Sequence, residues 1–346
     1  MPDLFNSGIL AMQPKYARQH HTEGQNGWLH SLILWTTKMN NVNYSHGSAP
    51  HYCYYQMTVI TCLVLASFSS DCSVCKVFVN AKHYKTIYMA SKTIVFIHGM
   101  FQNPKSWNHW VDFFTERGYN CLAPAWPLHG GDPVILKENP PAGLGELSLD
   151  TVVDAMVQVV NSLPERPIVI GHSVGGLIVQ LLSQKNLIAG GVCIDSVAPN
   201  AMLAFDWGFF KNNTLITNPF KGDEPFFMDE KSFHESFANT MTEEGSNVAY
   251  HAFATHDSRN VLRDCMGSAG HIDLDLPHSP LLFIGGSEDQ IIPAELNEKN
   301  AKAYTDNKSI TTFKEFAHRG HFICGEPGWE EVATYAYQWI HANIDE

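Results

Sequence analysis

A serine, Ser173, stands in the segment GHSVGG (171–176), directly after the apolar run Pro167–Ile170. A G-x-S-x-G pattern that leaves a strand and enters a helix is typical of a nucleophile elbow, a sharp turn that exposes the serine Oγ above the sheet. Because this turn crowds its neighbours, glycine is needed two residues before and two residues after the serine. The pattern predicts that Ser173 is a nucleophile.

A serine hydroxyl is a weak nucleophile at neutral pH and needs a base to activate it. In proteins with this elbow, the partners follow in the order Ser, acid, His. Asp289 lies in GGSEDQIIP (285–293), after an apolar run, and His321 lies in RGHF (319–322) near the end of the chain. We predict that His321 shuttles the proton, while Asp289 holds its tautomer and stabilises the imidazolium.

Other acids and histidines compete for these roles. Glu288 is adjacent to Asp289 and points elsewhere if Asp289 faces the site. Asp195 ends its own strand, a position from which an acid also reaches a histidine, and His318 lies three residues before His321. His172, beside the nucleophile, is expected to be packed or hydrogen-bonded in the elbow.

Acyl transfer also needs donors for the oxyanion that develops on the carbonyl. The segment HGMF (98–101) follows the first apolar strand, so its backbone should face the reacting group. We predict that the N–H groups of Met100 and Val174 form the oxyanion hole, since the residue after the nucleophile donates one of the bonds. His98 is expected to brace this loop, and the Met100 side chain to roof the acyl pocket.

Alternating β and α signals from residue 93 onward supply the elements that position these loops. Short apolar runs predict strands, and amphipathic or aromatic stretches predict helices. The predicted strands are Thr93–Ile97, Asn120–Ala125, Pro167–Ile170, Gly191–Asp195, Pro280–Ile284 and Thr311–Phe316, and the predicted helices are Asn103–Arg117, Leu147–Leu163, Leu177–Leu182 and Trp329–Ile344. The pattern predicts an α/β fold with a doubly wound, mostly parallel sheet, whose site lies at the carboxyl ends of the strands.

The alternation stops over about residues 199–277, a stretch rich in aromatic residues. An insertion of this kind between two strands predicts a helical lid. Most of its aromatic side chains should attach the lid to the sheet, and a minority should line the pocket. Phe101, Trp207 and Phe210 are the candidates for the pocket.

Composition excludes two classes of protein. The chain has 346 residues, a net charge of −13 and a pI near 5.7, which argues against binding to nucleic acid. No apolar run approaches the roughly 18 residues of a membrane-spanning helix, so no integral membrane span is expected.

The charge is uneven, because residues 1–92 carry a net +4 and residues 93–346 a net −17. We expect a poorly ordered or accessory extension over 1–75 and the main domain over 76–346. The apolar segment 58–68 has the length of a signal-peptide core but lies far from Met1. A cytoplasmic location is expected, or a secreted or membrane-associated one if segment 58–68 is a targeting element.

The segments TIVFIHGM, CLAPAWP, IGHSVGGL, FIGGSEDQIIP and HRGHFICGEPGWEEVA, taken in order, resemble the α/β-hydrolase superfamily over residues 93–344. The likeness is to its small, lid-bearing serine esterase and lipase branch. It implies an α/β-hydrolase fold with nucleophile Ser173, acid Asp289 and base His321. Two departures are the faintly strand-like residues 76–90, where this family has antiparallel strands, and the long segment before them.

The expected function is hydrolysis of a carboxylic ester, lactone or thioester of a neutral, moderately hydrophobic small molecule through an acyl-enzyme. One alternative is non-hydrolytic use of the same site, in C–C or cyanohydrin cleavage or in perhydrolysis. Another is a small-molecule receptor that retains the triad. No cofactor fingerprint or metal-ligand set is visible, so none is predicted, and the oligomeric state is left open.

Overall fold

The structure is a computed structural model, and it describes residues 92–203 and 222–345. The predicted boundary near residue 75, the apolar segment 58–68 and the pocket candidates Trp207 and Phe210 lie outside the described residues. The division into an extension over 1–75 and a domain over 76–346 therefore stays a prediction.

The strands of the described residues form one sheet in the order β2-β1-β3-β4-β5-β6, and every neighbouring pair is parallel. Their bounds are Thr93–Ile97 (β1), Asn120–Leu122 (β2), Ile168–His172 (β3), Gly190–Ile194 (β4), Leu281–Gly286 (β5) and Thr311–Phe316 (β6). Strands β1, β3, β4 and β5 are buried along their whole length because helices cover both faces of the sheet. The predicted fold class is confirmed.

Helices alternate with the strands along the chain. Their bounds are Asn108–Thr115 (α1), Pro133–Glu138 (α2), Leu149–Asn161 (α3), Val174–Gln184 (α4), Asn200–Leu203 (α5), Glu230–Ser232 (α6), Glu243–Phe253 (α7), Arg259–Cys265 (α8), Ala294–Ala303 (α9) and Trp329–Asn343 (α10). A π-helical turn, Phe233–Phe237, continues α6. None of the helices that the structure describes is long and apolar enough to cross a membrane.

Alternate residues of each strand enter two separate hydrophobic cores, as the two-residue period of a strand requires. Val95 and Ile97 face one core with α3 and α4, whereas Ile94 and Phe96 face the other with α1 and α10. Burying each large apolar side chain contributes about 1.5–3 kcal/mol to folding. The two cores hold the central strands rigidly beneath the loops that follow them.

The strand register brings the residues that follow the strands to one edge of the sheet. Ile97 of β1 pairs with Gly171 of β3, and His172 of β3 pairs with Ile194 of β4. Ile194 in turn pairs with Ile284 of β5. The loops that contain the predicted oxyanion donor, nucleophile and acid therefore meet at the carboxyl edge.

Several element boundaries differ from the sequence-based expectations. Strand β2 ends at Leu122 rather than Ala125, and a 3₁₀ turn, Pro104–Trp107, precedes α1 in place of a helix that begins at Asn103. Helix α4 begins directly after Ser173, at Val174, because the tight elbow opens straight into it. The sequence analysis also missed α2 and α9, since α2 has only six residues and α9 is rich in polar residues.

Candidate active site

Ser173 occupies the turn between β3 and α4. Its backbone has φ 58° and ψ −120°, in the region with positive φ that side-chain-bearing residues rarely adopt. Backbone strain of this kind costs on the order of 1–3 kcal/mol and persists where the surrounding structure enforces it. Here the Ser173 N–H donates to Ile194 O at 2.9 Å, and its carbonyl accepts from the Gly176 N–H at 3.0 Å. The elbow is therefore held from both sides.

Glycines surround the elbow because other backbone passes too close for a side chain. A Cβ on Gly171 would lie 2.2 Å from Gly175 O, and one on Gly175 would lie 2.3 Å from Ile97 O. A Cβ on Gly99 would lie 2.8 Å from the Cβ of Ser173. The third of these contacts shows that the loop after β1 packs directly against the nucleophile candidate.

His321 and Asp289 are paired in the structure. The Nδ1 of His321 lies 2.7 Å from Oδ2 of Asp289, and both side chains are buried. The other oxygen of Asp289, Oδ1, accepts from the N–H groups of Ile291 at 2.7 Å and Ile292 at 2.9 Å. With its proton on Nδ1, His321 leaves Nε2 free to accept a proton from a hydroxyl, as a general base requires.

The competing residues occupy other positions. The side chain of His318 is 92% exposed and its Nδ1 lies 3.9 Å from Oε1 of Glu288. Neither His318 nor Glu288 therefore faces the buried pair of His321 and Asp289. His172 is buried, and its Nε2 donates to the carbonyl oxygen of His321 at 2.8 Å. Burial, and then the neighbouring His321, hold the pKa of His172 well below its usual range, so this ring is neutral. Asp195 is buried beside Asp289 and makes no hydrogen bond to His321.

The predicted oxyanion donors line the same cavity as Ser173. Within the described residues, no hydrogen bond uses the N–H of Met100 or of Val174. Two buried N–H groups without acceptors beside a strained serine are available to donate to an oxyanion. The next N–H along, that of Phe101, is already used, because it donates to Oδ2 of Asp257 at 2.9 Å.

His98 braces the loop after β1. Its Nδ1 lies 2.9 Å from Gly99 O, and its Nε2 accepts from the Trp126 N–H at 3.2 Å. Its ring stacks on Trp126, with centroids 4.7 Å apart. Burial and then the adjacent His129 lower the pKa of His98 to about 3, so it remains a neutral structural group at physiological pH.

Two residues of this region were missed by the sequence analysis. Asp257 is buried, and its Oδ2 lies 3.3 Å from Nε2 of His129, which is buried as well. Burial lowers the pKa of His129, but the nearby charge of Asp257 outweighs burial, so the pKa is raised overall. No motif marks this pair, since its members come from separate loops that only the fold brings together.

A cavity of about 30 Å³ lies over Ser173 and His321. The described residues that line it are Met100, Phe101, Ser173, Val174, Val197, Met228, Phe237, Leu262, Ile291, Ile292 and His321. Met228, Phe237 and Leu262 belong to the stretch between β4 and β5, and Phe101 belongs to the loop after β1. Other aromatic side chains in the described part of this stretch pack on one another instead, for example Phe227 on Tyr250, with ring centroids 5.7 Å apart.

Ligand-type atoms of His172, Asp195 and His321 come within 4.8 Å of one another. Metal binding needs an open lone pair on each ligand. The Nε2 of His172 is engaged with a carbonyl oxygen, and the Nδ1 of His321 with Asp289. The Nδ1 of His172 and the Oδ2 of Asp195, by contrast, make no hydrogen bond within the described residues.

A family model described as the alpha/beta hydrolase family matches residues 94–334. The match covers the sheet, the elbow and the loops that carry Asp289 and His321. The chain belongs to the alpha/beta hydrolase family. No curated protein matches the chain.

Solved structures share this fold at low sequence identity. A monoacylglycerol lipase of Paleococcus ferrophilus is 19% identical with a TM-score of 0.54, and the match covers 72% of this chain and 94% of the lipase. A polyneuridine aldehyde esterase is 14% identical with a TM-score of 0.52, covering 72% and 99%. Tomato methylketone synthase I is 15% identical with a TM-score of 0.56, covering 73% and 99%. Identities at this level establish the fold alone.

Proposed function

We propose that this protein is a serine hydrolase that cleaves carboxylic esters of small, neutral molecules through an acyl-enzyme on Ser173. The observation that carries the proposal is the 2.7 Å contact between Asp289 and His321, at a cavity that the strained Ser173 also lines. A nucleophile, a base and a group that orients the base are the parts that acyl transfer needs.

The reaction follows from the positions of these groups. Ser173 Oγ attacks the carbonyl carbon as Nε2 of His321 takes its proton, and Asp289 stabilises the resulting imidazolium. The N–H groups of Met100 and Val174 bind the oxyanion. His321 then donates the proton to the leaving alcohol, and a water activated by the same histidine hydrolyses the acyl-serine.

The lining of the cavity supports a neutral substrate with a small acyl group. Apart from Ser173 and His321, the described lining residues are apolar, so an anionic acyl chain would lose its hydration without a cation in exchange. A volume of about 30 Å³ holds only a few atoms. The names of the structural neighbours, which include a lipase and an esterase, agree with ester chemistry.

The test is hydrolysis of p-nitrophenyl acetate and butyrate by the full chain. Ser173→Ala should lower kcat by roughly 10⁴-fold or more, because the triad acts as a unit. Ser183→Ala is the matched control, since Ser183 is a buried serine farther along α4, away from the cavity. A fluorophosphonate should label Ser173 alone; labelling of a different serine, or full activity in Ser173→Ala, would contradict the proposal.

A further inference from the structure

A second buried acid stands beside the proposed triad. Asp195 directly follows β4, is fully buried, and has a positive φ of 42°. Its N–H donates to Ile284 O at 2.8 Å, and its Oδ1 accepts from the Gly286 N–H at 2.8 Å. Its Oδ2 has no hydrogen-bond partner within the described residues. The proposed reaction uses Asp289 and His321, so it leaves this acid without a role.

The groups around Asp195 are ionisable and buried. They are the carboxyls of Asp289 and Glu326, the imidazoles of His172 and His321, and the thiol of Cys324. An ionised Asp195 would place a second negative charge against Asp289, away from water, with one bare oxygen. Both the repulsion and the lost hydration oppose that state.

Asp289 has room for one further donor. A carboxylate offers about four lone-pair positions. Those of Asp289 accept from Ile291, Ile292 and His321, which leaves one position open in the described structure.

We propose that Asp195 is a positioning residue that keeps its proton and donates a hydrogen bond from Oδ2 to the carboxylate of Asp289. The inference rests on the proposed function, because the group it positions is the triad acid. Through Asp289 it fixes the orientation of the His321 ring. It also limits the negative charge beside His321 to a single carboxylate.

The electrostatics of the site agree with a neutral Asp195. Burial, and next the charge of Asp289, raise the pKa of Asp195 well above its usual range, and the Gly286 N–H offsets them only in part. In the unfolded chain an aspartate loses its proton above about pH 4. The folded state then binds more protons than the unfolded state, so this group makes stability fall as pH rises from about 4 toward the folded-state pKa.

Two readouts test the inference in the full chain. The first is infrared absorption at neutral pH, where the C=O stretch of a protonated carboxylic acid should be present in the wild type and missing in Asp195→Asn.

The second readout is thermal unfolding as a function of pH. The Asn side chain does not titrate. The melting temperature of Asp195→Asn minus that of the wild type should therefore increase from pH 5 to pH 8. Asp264→Asn is the matched control, because that carboxylate accepts the Leu149 N–H outside the site, and it should change neither readout.

Turnover of p-nitrophenyl butyrate separates positioning from a purely structural role. Asp195→Ala should lower kcat by roughly 10- to 100-fold with little change in KM, the effect of losing one hydrogen bond to a charged group. Asp195→Asn keeps a donor in the same place and should recover most of that loss. Equal losses in both variants, or a wild-type spectrum without the carboxylic acid band, would overturn the inference. No ester turnover by the wild type would instead refute the proposed function, and the infrared result would still report the proton on Asp195.

Discussion

The backbone N–H of Phe101 donates to the carboxylate of Asp257 at 2.9 Å, across 156 positions of the chain. Phe101 follows Met100, whose N–H is the first proposed oxyanion donor, and it has a positive φ of 62°. The same carboxylate contacts His129, and its other oxygen accepts from the Ser258 N–H at 2.7 Å. The loop after β1 is thus held in a strained conformation by a residue from the stretch between β4 and β5.

Removing this anchor should impair catalysis more than binding. Asp257→Ala leaves the Phe101 N–H without its acceptor, so the Met100 N–H moves away from the oxyanion. We expect kcat to fall by about 10²-fold, which is the lower end of the loss seen when one oxyanion donor is removed. The change in KM should be smaller. Steady-state kinetics with p-nitrophenyl butyrate measures both values.

Asp264→Ala is the control for the anchor, because Asp264 also accepts a backbone N–H but lies away from the loop after β1. Its kcat should stay near that of the wild type. Unchanged kcat in Asp257→Ala, with the fold intact by circular dichroism, would show that Asp257 does not position the oxyanion donor.

The contact between His129 and Asp257 should make stability depend on pH. The pKa of His129 is raised in the folded state, so its stabilising contribution is fully present below the unfolded value of about 6.5 and is lost as pH rises through the folded value. The free energy of unfolding should therefore decline above about pH 6.5 with a slope of up to about 1.4 kcal/mol per pH unit. Urea unfolding of wild type and His129→Gln checks this, since the variant should lack that part of the slope. Parallel curves for the two proteins would contradict the prediction.

The fold and the residues of the proposed triad could be predicted from the sequence because short local sequence patterns mark them. Each central strand is a short apolar run buried on both faces, and GHSVGG combines a tight turn with a helix start that few other structures require. Asp289 and His321 were found by their order after Ser173 and by their places behind strands β5 and β6.

The parts that sequence reasoning missed depend on contacts between distant segments. Asp257 and His129 stand in stretches without a motif, and their pairing appears only once the insertion packs on the loop after β2. The role of Asp195 likewise depends on a buried neighbour 94 positions later, Asp289. Asp195 was considered as the triad acid, and the hydrogen bond of His321 goes to Asp289 instead.

The closeness of Gly99 to Ser173 gives a sharp test of the elbow. In Gly99→Ala the new Cβ would lie 2.8 Å from Ser173 Cβ and 3.0 Å from His172 O, so either the nucleophile or the loop must shift. A displacement of about 1 Å costs on the order of 10²-fold in rate. Gly130→Ala is the control, since its Cβ would meet Ala125 at an ordinary 3.7 Å. Measured kcat should fall strongly in the first variant only, and equal activity in both would show that the elbow tolerates the shift.

The cavity should set the length of the acyl chain that the protein accepts. At about 30 Å³ it favours acetate over butyrate and longer esters, and its apolar lining disfavours a charged succinate monoester of the same alcohol. Met228 lines this cavity from the insertion, so Met228→Ala should enlarge it and move the preferred chain length upward. Met156→Ala is the control, because Met156 is also a buried methionine but belongs to α3 and does not line the cavity.

Each of these truncations should lower the free energy of unfolding by about 2–5 kcal/mol. If the chain-length preference changes only in Met228→Ala, the change is therefore due to the cavity and not to the loss of stability that both variants share. The measurement is kcat/KM for p-nitrophenyl esters from acetate to octanoate. Wild-type preference for octanoate would mean that the insertion opens to admit long chains. Preference for the charged succinate ester would require a cation outside the described lining, and would contradict a neutral substrate.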